Sequence, residues 1–260
     1  MILPHWLLLV SSLATAGGDY DPGNTDWNGA SYLATTAEES NVTLQMVEVL
    51  SWEAVEPEDV ILFIQPNSSV TPDTLTQFIQ DGGHGIVAVD GNKAADLSEG
   101  LGYTVSNEPA IHGAYYENHM SFPVLRAKTD HFLWSNVDEI VLNHPTAVAP
   151  YEPNRLALEW TPVLPFDEPN QYFAMEADLG RGTLFLLSDA SVFINDMQIQ
   201  HHGTKQFVAN IFRLYCGGEA SVRCRILLVL PDTQCVGTYS SRHNGSRDTF
   251  RAFFRQAVAQ

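Results

Sequence analysis

The chain has 260 residues, 45% of them hydrophobic, enough for one large domain or two small ones with a buried core. Its 31 acidic side chains against 13 basic ones give a formal charge of -18, and no Lys/Arg cluster interrupts that field. A phosphate backbone would be repelled over the whole surface, so nucleic acid is not expected as a partner.

The first residues, "MILPHWLLLVSSLATAGG", carry an apolar run from Trp6 to Val10 followed by small residues, and Ala14-Thr15-Ala16 fits the small-x-small pattern before a cleavage point. This predicts a signal peptide over residues 1–16 and an exported protein, periplasmic or extracellular. No Lys or Arg precedes the apolar run, so an uncleaved N-terminal anchor is the other reading. The run is far shorter than the roughly 20 residues that span a bilayer, and no later segment reaches that length. The mature chain is expected to carry no integral membrane segment.

"GGDYDPGNTDWNGASYLATTAEES" follows, with Asp and Asn residues crowded just before a helix. Asn24, Asp26, Asn28 and Gly29 match the first half of a calcium loop, but its twelfth position is Thr35 where a bidentate Glu is needed. Asp26 or Asn28 is therefore expected to cap the helix. That helix places Leu33 inward and stops at Asn41, and "VTLQMVEVL" reads as a strand. "EPEDVILFIQP" then gives the continuous apolar run Val60 to Ile64, the pattern of a parallel strand buried on both faces.

"VTPDTLTQFIQDGG" predicts a helix with Thr71 at its cap, Pro72 in the first turn, Leu75, Phe78 and Ile79 inward, and Gly82-Gly83 at its end. "GIVAVD" is a third strand and "GNKAADLSEGLG" another helix. This rhythm implies an α/β fold with a parallel sheet, right-handed crossovers and helices on both faces. From about Tyr103 to Tyr151 the rhythm breaks, and the polar, aromatic stretch reads as an inserted loop and hairpin with short strands at Glu139 to Leu142 and Thr146 to Ala149.

"LALEW", "YFAMEADLG" and "GTLFLLSD" read as returning strands, the last two joined by a tight turn at Gly180-Arg181-Gly182. "ASVFINDM" begins a helix and "TKQFVANIFRLYC" makes a longer one. The main domain is expected over residues 17–215. A C-terminal extension over 216–260 holds the strand "RILLVLPD", a loop and a helix from about Ser246 to Val258. Cys216, Cys224 and Cys235 all fall in the last fifth of the chain. Two of them could pair in an oxidising compartment, or all three could be buried and unpaired.

In an open parallel sheet ligands bind beyond the carboxyl ends of the strands. The residues there are Gln65, Pro66 and Asn67, then Asp90, Gly91 and Asn92, then Ser188, Asp189 and Ser191. Helix N-termini behind such a rim would suit an anionic ligand, but plain capping is the favoured reading for Asp90, Asp189 and Ser191, which are standard cap residues. No G-x-S-x-G or G-x-C-x-G elbow occurs, and Ser188 with Asp189 and a distant His144 or His202 has no supporting spacing. His201-His202 are adjacent and diverge, His112 and His119 lie in a loop, and no H-E-x-x-H occurs. No metal or other cofactor is expected.

"YDPGNTDWNGAS", "LTQFIQDGGHGIVAVD", "EIVLNHPTAV" and "GRGTLFLLSDASVFIND" together resemble an uncharacterised bacterial domain-of-unknown-function family. That family is placed in the class I glutamine-amidotransferase-like superfamily, with relatives that include the auxiliary component of gliding-motility-type ABC transporters. The resemblance covers about residues 20 to 215. It implies a flavodoxin-like three-layer domain, exported or attached at the cell envelope and without amidotransferase activity.

Active members of that superfamily carry a cysteine nucleophile on a strand-to-helix elbow; here the matching step is Val89-Asp90-Gly91, and no cysteine lies in the region. Many relatives continue into a membrane segment, which is not expected here. The chain thus reads as a non-catalytic binding or scaffold domain of the envelope, with an envelope protein or a small ligand as partner. Its expected ligand-facing residues are Asp26, Asn28, Asn67, Asp90, Asn92, Ser188, Asp189 and Asn195. The alternative is a carboxylate-dependent hydrolase in which Asp90 or Asp189 activates water, with or without a divalent ion.

Overall fold

The computed structural model describes residues 18–91, 95–110, 112–126, 130–151, 159–217 and 224–240. The predicted signal peptide and the predicted helix from Ser246 to Val258 lie outside the described residues. The first half holds α1 (Ser31–Glu39), β1 (Thr43–Met46), β2 (Val49–Ser51), β3 (Val60–Ile64), α2 (Pro72–Gln80), β4 (His84–Ala88), α3 (Ala95–Leu101) and β5 (Tyr103–Val105). Next come β6 (Val124–Arg126), β7 (Glu139–Val141), β8 (Val148–Pro150), β9 (Thr161–Pro165), β10 (Tyr172–Leu179) and β11 (Gly182–Leu187). The rest comprises α4 (Asn195–Gln200), α5 (His202–Cys216), β12 (Arg225–Val229) and β13 (Gln234–Val236).

β1, β12, β3, β4 and β11 lie side by side in that order and all run parallel. β10 then pairs antiparallel with β11, and β8 and β5 extend the sheet antiparallel, with β9 also on β10. The result is the expected three-layer α/β sandwich around a mostly parallel sheet.

The run Val60 to Ile64 shows why. All five residues are buried, Val60, Leu62 and Ile64 in the cluster under α1 and α5, Ile61 and Phe63 in the cluster under α2. Period-two side chains on a strand covered on both faces need apolar residues at every position. Each such side chain contributes about 1.5–3 kcal/mol of transfer free energy.

The covering helices show the complementary period. In α2, Leu75, Phe78 and Ile79 are buried at i, i+3 and i+4, and in α5 Phe207, Val208, Ile211, Phe212 and Tyr215 repeat that stripe. α1 ends as predicted, with Asn41 in the left-handed region at φ 59°. Gly180, at φ 62°, makes the predicted turn between β10 and β11.

Several elements differ from expectation. "VTLQMVEVL" is two strands, because β1 joins the main sheet while β2 pairs with β13 in a separate ribbon. The hairpin of the inserted region is built by β6 and β7, whereas β8 returns to the main sheet between β10 and β5. Most of "LALEW" lies outside the described residues, and the strand there is β9, immediately after it. Ala190–Phe193 winds as a 3-10 turn before α4 begins, so "ASVFINDM" is not one helix.

The segment beyond residue 216 is woven into the same sheet. β12 sits between β1 and β3, and Cys216 at the end of α5 is disulfide-bonded to Cys224, leaving Cys235 free. At the start of β12, Arg225 donates from Nε to Asp59 Oδ1 at 2.8 Å and from its terminal nitrogen to Oδ2 at 2.5 Å. Asp59 is buried and also accepts the backbone N–H of Glu56 at 2.8 Å, so this pair fixes the amino ends of β12 and β3. Among the described residues, no helix is long and apolar enough to cross a membrane.

Candidate functional site

The carboxyl ends of β1, β12, β3 and β4 open onto a cleft of about 830 Å³. Its walls come from the opening loop, from Met46 at the end of β1 with Val47 and Glu48 beyond it, from Gln65 after β3, from Asp90 after β4, from Asn143, Ser191 and Ile194, and from Leu230 to Thr233 after β12. This is where an open parallel sheet holds its ligand.

The opening loop is folded as a knot of short polar contacts. Asn24 Oδ1 accepts the backbone N–H of Asp26 at 2.9 Å, Asp21 Oδ1 accepts that of Gly23 at 2.7 Å, and Asn28 Nδ2 donates to Asp19. Asn24 Nδ2 reaches Gly18 O at 3.2 Å and Asn28 Oδ1 at 3.3 Å. The side-chain oxygens of Asn24 and Asn28 that a calcium loop would offer are therefore hydrogen-bonded within the loop. Among the described residues, no group of three or more His, Cys, Asp or Glu side chains is arranged to hold a metal ion.

Neither Asp26 nor Asn28 caps α1, contrary to expectation. The cap comes from Asn195, whose Oδ1 accepts Tyr32 N–H at 2.9 Å and Ser31 Oγ at 3.2 Å. Its Nδ2 donates to the carbonyls of Asn24 at 3.0 Å and Asp26 at 2.7 Å. Asn195 is 1% exposed, so it is a staple between α4, α1 and the opening loop.

Tyr20 hangs from this loop into the back of the cleft. Its hydroxyl accepts Gln65 Nε2 at 3.0 Å and also bonds the Ser191 side chain. Gln65 stands at φ 47°, a left-handed conformation that costs a non-glycine residue free energy and often marks a functional edge.

Asp189 lies beneath, fully buried, with Oδ1 accepting Ser191 N–H at 2.8 Å and Oδ2 accepting Asn143 N–H at 2.7 Å. It caps the 3-10 turn, as plain capping requires. Burial pushes its carboxyl up to about 7; the Asn143 N–H opposes the rise and the Asp90 carboxylate adds to it. Burial, then the charges of Asp189 and Asp90, also lift the Tyr20 phenol well above its ordinary range.

The expected residues divide as follows. Asn28 and Asp90 line the cleft. Asp189 supports its floor from below without lining it. Asn67 donates to the carbonyls of Pro231 and Thr233, both at 2.8 Å, and so ties the loop after β3 to the loop after β12. Asp26 is exposed on the loop, Ser188 is buried with its Oγ lacking a hydrogen-bond partner, and Asn92 lies outside the described residues.

Sequence reasoning missed Tyr20, Trp27, Glu48, Asn143 and Asp232 as wall residues. Tyr20 and Trp27 are the aromatic residues of an otherwise polar loop, which was the available signal. The walls hold five carboxylates, Asp19, Asp21, Glu48, Asp90 and Asp232, and among the described residues no Lys, Arg or His. Such a field opposes an anionic ligand.

The chain belongs to the family described as Domain of unknown function (DUF4350), whose model matches residues 22–212. No curated protein matches it. Among solved structures it is similar to one described as the mmIFT52 N-terminal domain, at 15% identity and a TM-score of 0.49, over 63% of this chain and 80% of that one. It is also similar to a β-galactosidase from Bacillus circulans sp. alkalophilus, at 10% identity and a TM-score of 0.34, over 55% of this chain and 22% of that one. An exo-β-1,4-mannosidase from Opitutaceae bacterium strain TAV5 gives 10% identity and a TM-score of 0.38, over 60% of this chain and 25% of that one. The chain thus spans a quarter or less of either glycosidase. With every score below 0.5, no activity is transferred from these proteins.

Proposed function

We propose that this member of the family is a non-catalytic binding domain of the cell envelope, exported and serving an envelope or transport complex, with its ligand in the cleft at the carboxyl edge of the sheet. The same reading keeps it in the class I glutamine-amidotransferase-like superfamily, as a relative that lacks the nucleophile. The observation that carries it is the state of the hydroxyls lining the cleft. Tyr20 and Ser191 bond one another, and Thr233 Oγ1 donates to Val47 O at 3.1 Å and accepts Leu230 N–H at 3.0 Å. A nucleophile needs a base within hydrogen-bond reach, and no histidine lines the cleft among the described residues. The Cys216–Cys224 disulfide supports an oxidising compartment.

A second reading draws on Asp189, whose raised pKa beside Asp90 is the pattern of an acid/base pair. It is the weaker one. A general acid must touch the proton it moves, whereas Asp189 is fully buried and both its oxygens accept backbone N–H groups.

The test is a thermal-shift screen of small polar compounds and divalent cations on the full chain, repeated with Asp90→Asn, beside assays of ester, phosphoester and glycoside hydrolysis. Stabilisation by a compound that Asp90→Asn weakens, without turnover, supports the binding reading. Turnover lost in Asp189→Asn with melting retained would replace it with the hydrolase. Recovery of the expressed chain in an envelope or periplasmic fraction, beginning near Gly17, tests the export.

A further inference from the structure

The cleft combines three features that together define a ligand class. Its volume of about 830 Å³ is that of a small-molecule site. Its carboxylates come from different segments: Asp19 and Asp21 from the opening loop, Glu48 from the segment after β1, Asp90 from the segment after β4 and Asp232 from the loop after β12. Negative charge therefore faces the space from four different segments of the chain. The same walls carry the apolar side chains of Met46, Val47, Ile194, Leu230 and Pro231.

Trp27 completes it, lining the cleft while 66% exposed. A tryptophan left in water beside carboxylates is an unused cation–π surface. Its side chain has no structural duty on view, since it is the Trp27 backbone carbonyl that accepts Asp196 N–H at 3.0 Å.

We infer that the cleft takes a small aliphatic amine with more than one positive charge, its ammonium groups on the carboxylates and its methylene stem along the apolar side chains and the Trp27 ring. An aliphatic polyamine combines positive charge with hydrocarbon, as these walls combine acids with apolar side chains. A bare divalent ion would leave the apolar side chains and Trp27 unused, and an anion would meet the five carboxylates. This inference rests on the reading of the cleft as a binding site.

The experiment is calorimetric titration of the full chain with spermidine at 150 mM salt, against choline, magnesium chloride and a neutral polyol. It is repeated with Trp27→Ala, with Glu48→Gln combined with Asp232→Asn, and with Glu38→Gln combined with Glu99→Gln. The last pair removes the same charge from exposed sites off the cleft wall. Saturable spermidine binding is expected. Trp27→Ala should weaken it at least 5-fold and the cleft charge pair at least 10-fold, with less than 2-fold change in the remote pair.

Equal weakening by the two charge pairs, or competition by magnesium at matched ionic strength as strong as by spermidine, would overturn the inference by showing attraction to net charge alone. Saturable binding of the polyol or choline, sensitive to Trp27→Ala, with none of spermidine, would overturn the ligand class and leave the binding reading standing. Hydrolytic turnover lost in Asp189→Asn would remove the binding reading itself.

Discussion

Asp189 Oδ2 accepts the backbone N–H of Asn143 at 2.7 Å, joining the turn after β11 to the segment between β7 and β8 directly behind the cleft. The charge of Asp90, on the cleft wall, opposes ionisation of the buried Asp189 carboxyl.

The pH dependence of stability follows from this. An unfolded Asp ionises near its ordinary 3.8, whereas folded Asp189 keeps its proton up to about 7, so between those values the folded state binds more protons. Its contribution is complete below about pH 4 and is lost as pH rises through about 7. Asp189→Asn removes the titration, so the melting temperature of the variant minus that of the natural chain should climb between those pH values. A difference flat with pH would refute the raised pKa.

Replacing Asn195 by Ala should cost roughly 2–4 kcal/mol, because it leaves the Tyr32 N–H and the carbonyls of Asn24 and Asp26 without their partner in a buried site. Urea unfolding gives the loss. Limited proteolysis should show cleavage within residues 18–30 before the rest of the chain, as the opening loop is what the staple holds.

Arg225→Lys should destabilise by about 1–2 kcal/mol despite keeping the charge, since an ammonium cannot reproduce the two-pronged contact with Asp59. Asp59→Asn should cost a comparable amount. The double variant should lose less than the sum of the two, and a double-mutant cycle by chemical denaturation measures the coupling.

The Cys216–Cys224 bond closes a short loop, and substituting both residues with Ser should lower stability by roughly 2–3 kcal/mol. Thiol titration of the denatured, unreduced chain should find one thiol, that of Cys235. Three would show the bond to be absent.

The parallel core was legible because its signals are local. A five-residue apolar run, a Pro at the first helical turn and a glycine at a hairpin each act within a few residues of themselves. The site was legible only in outline: the carboxyl-edge rule pointed to Gln65, Asp90 and Asp189, but not to which of them face the space. Asn195 was misassigned because the carbonyl groups it serves lie 171 and 169 residues away, a distance no periodicity reports.

Trp27 and Met46 were missed for the opposite reason: an apolar side chain left in water has no pattern of its own. β6 and β9 escaped because one is three residues long and the other contains two prolines, which weaken the strand pattern.

The position of β12 sets the order in which the molecule can assemble. β1 and β3 are made early, yet the rung between them is supplied by residues 225–229, so the ribosome must release most of the polypeptide before that half of the sheet can zip together. Until then both strands present open edges, the condition under which chains pair with the wrong neighbour. Maturation of this protein is therefore governed by its tail, and a nascent chain halted before Arg225 would hold most of the hydrophobic sequence with no means of completing the sheet.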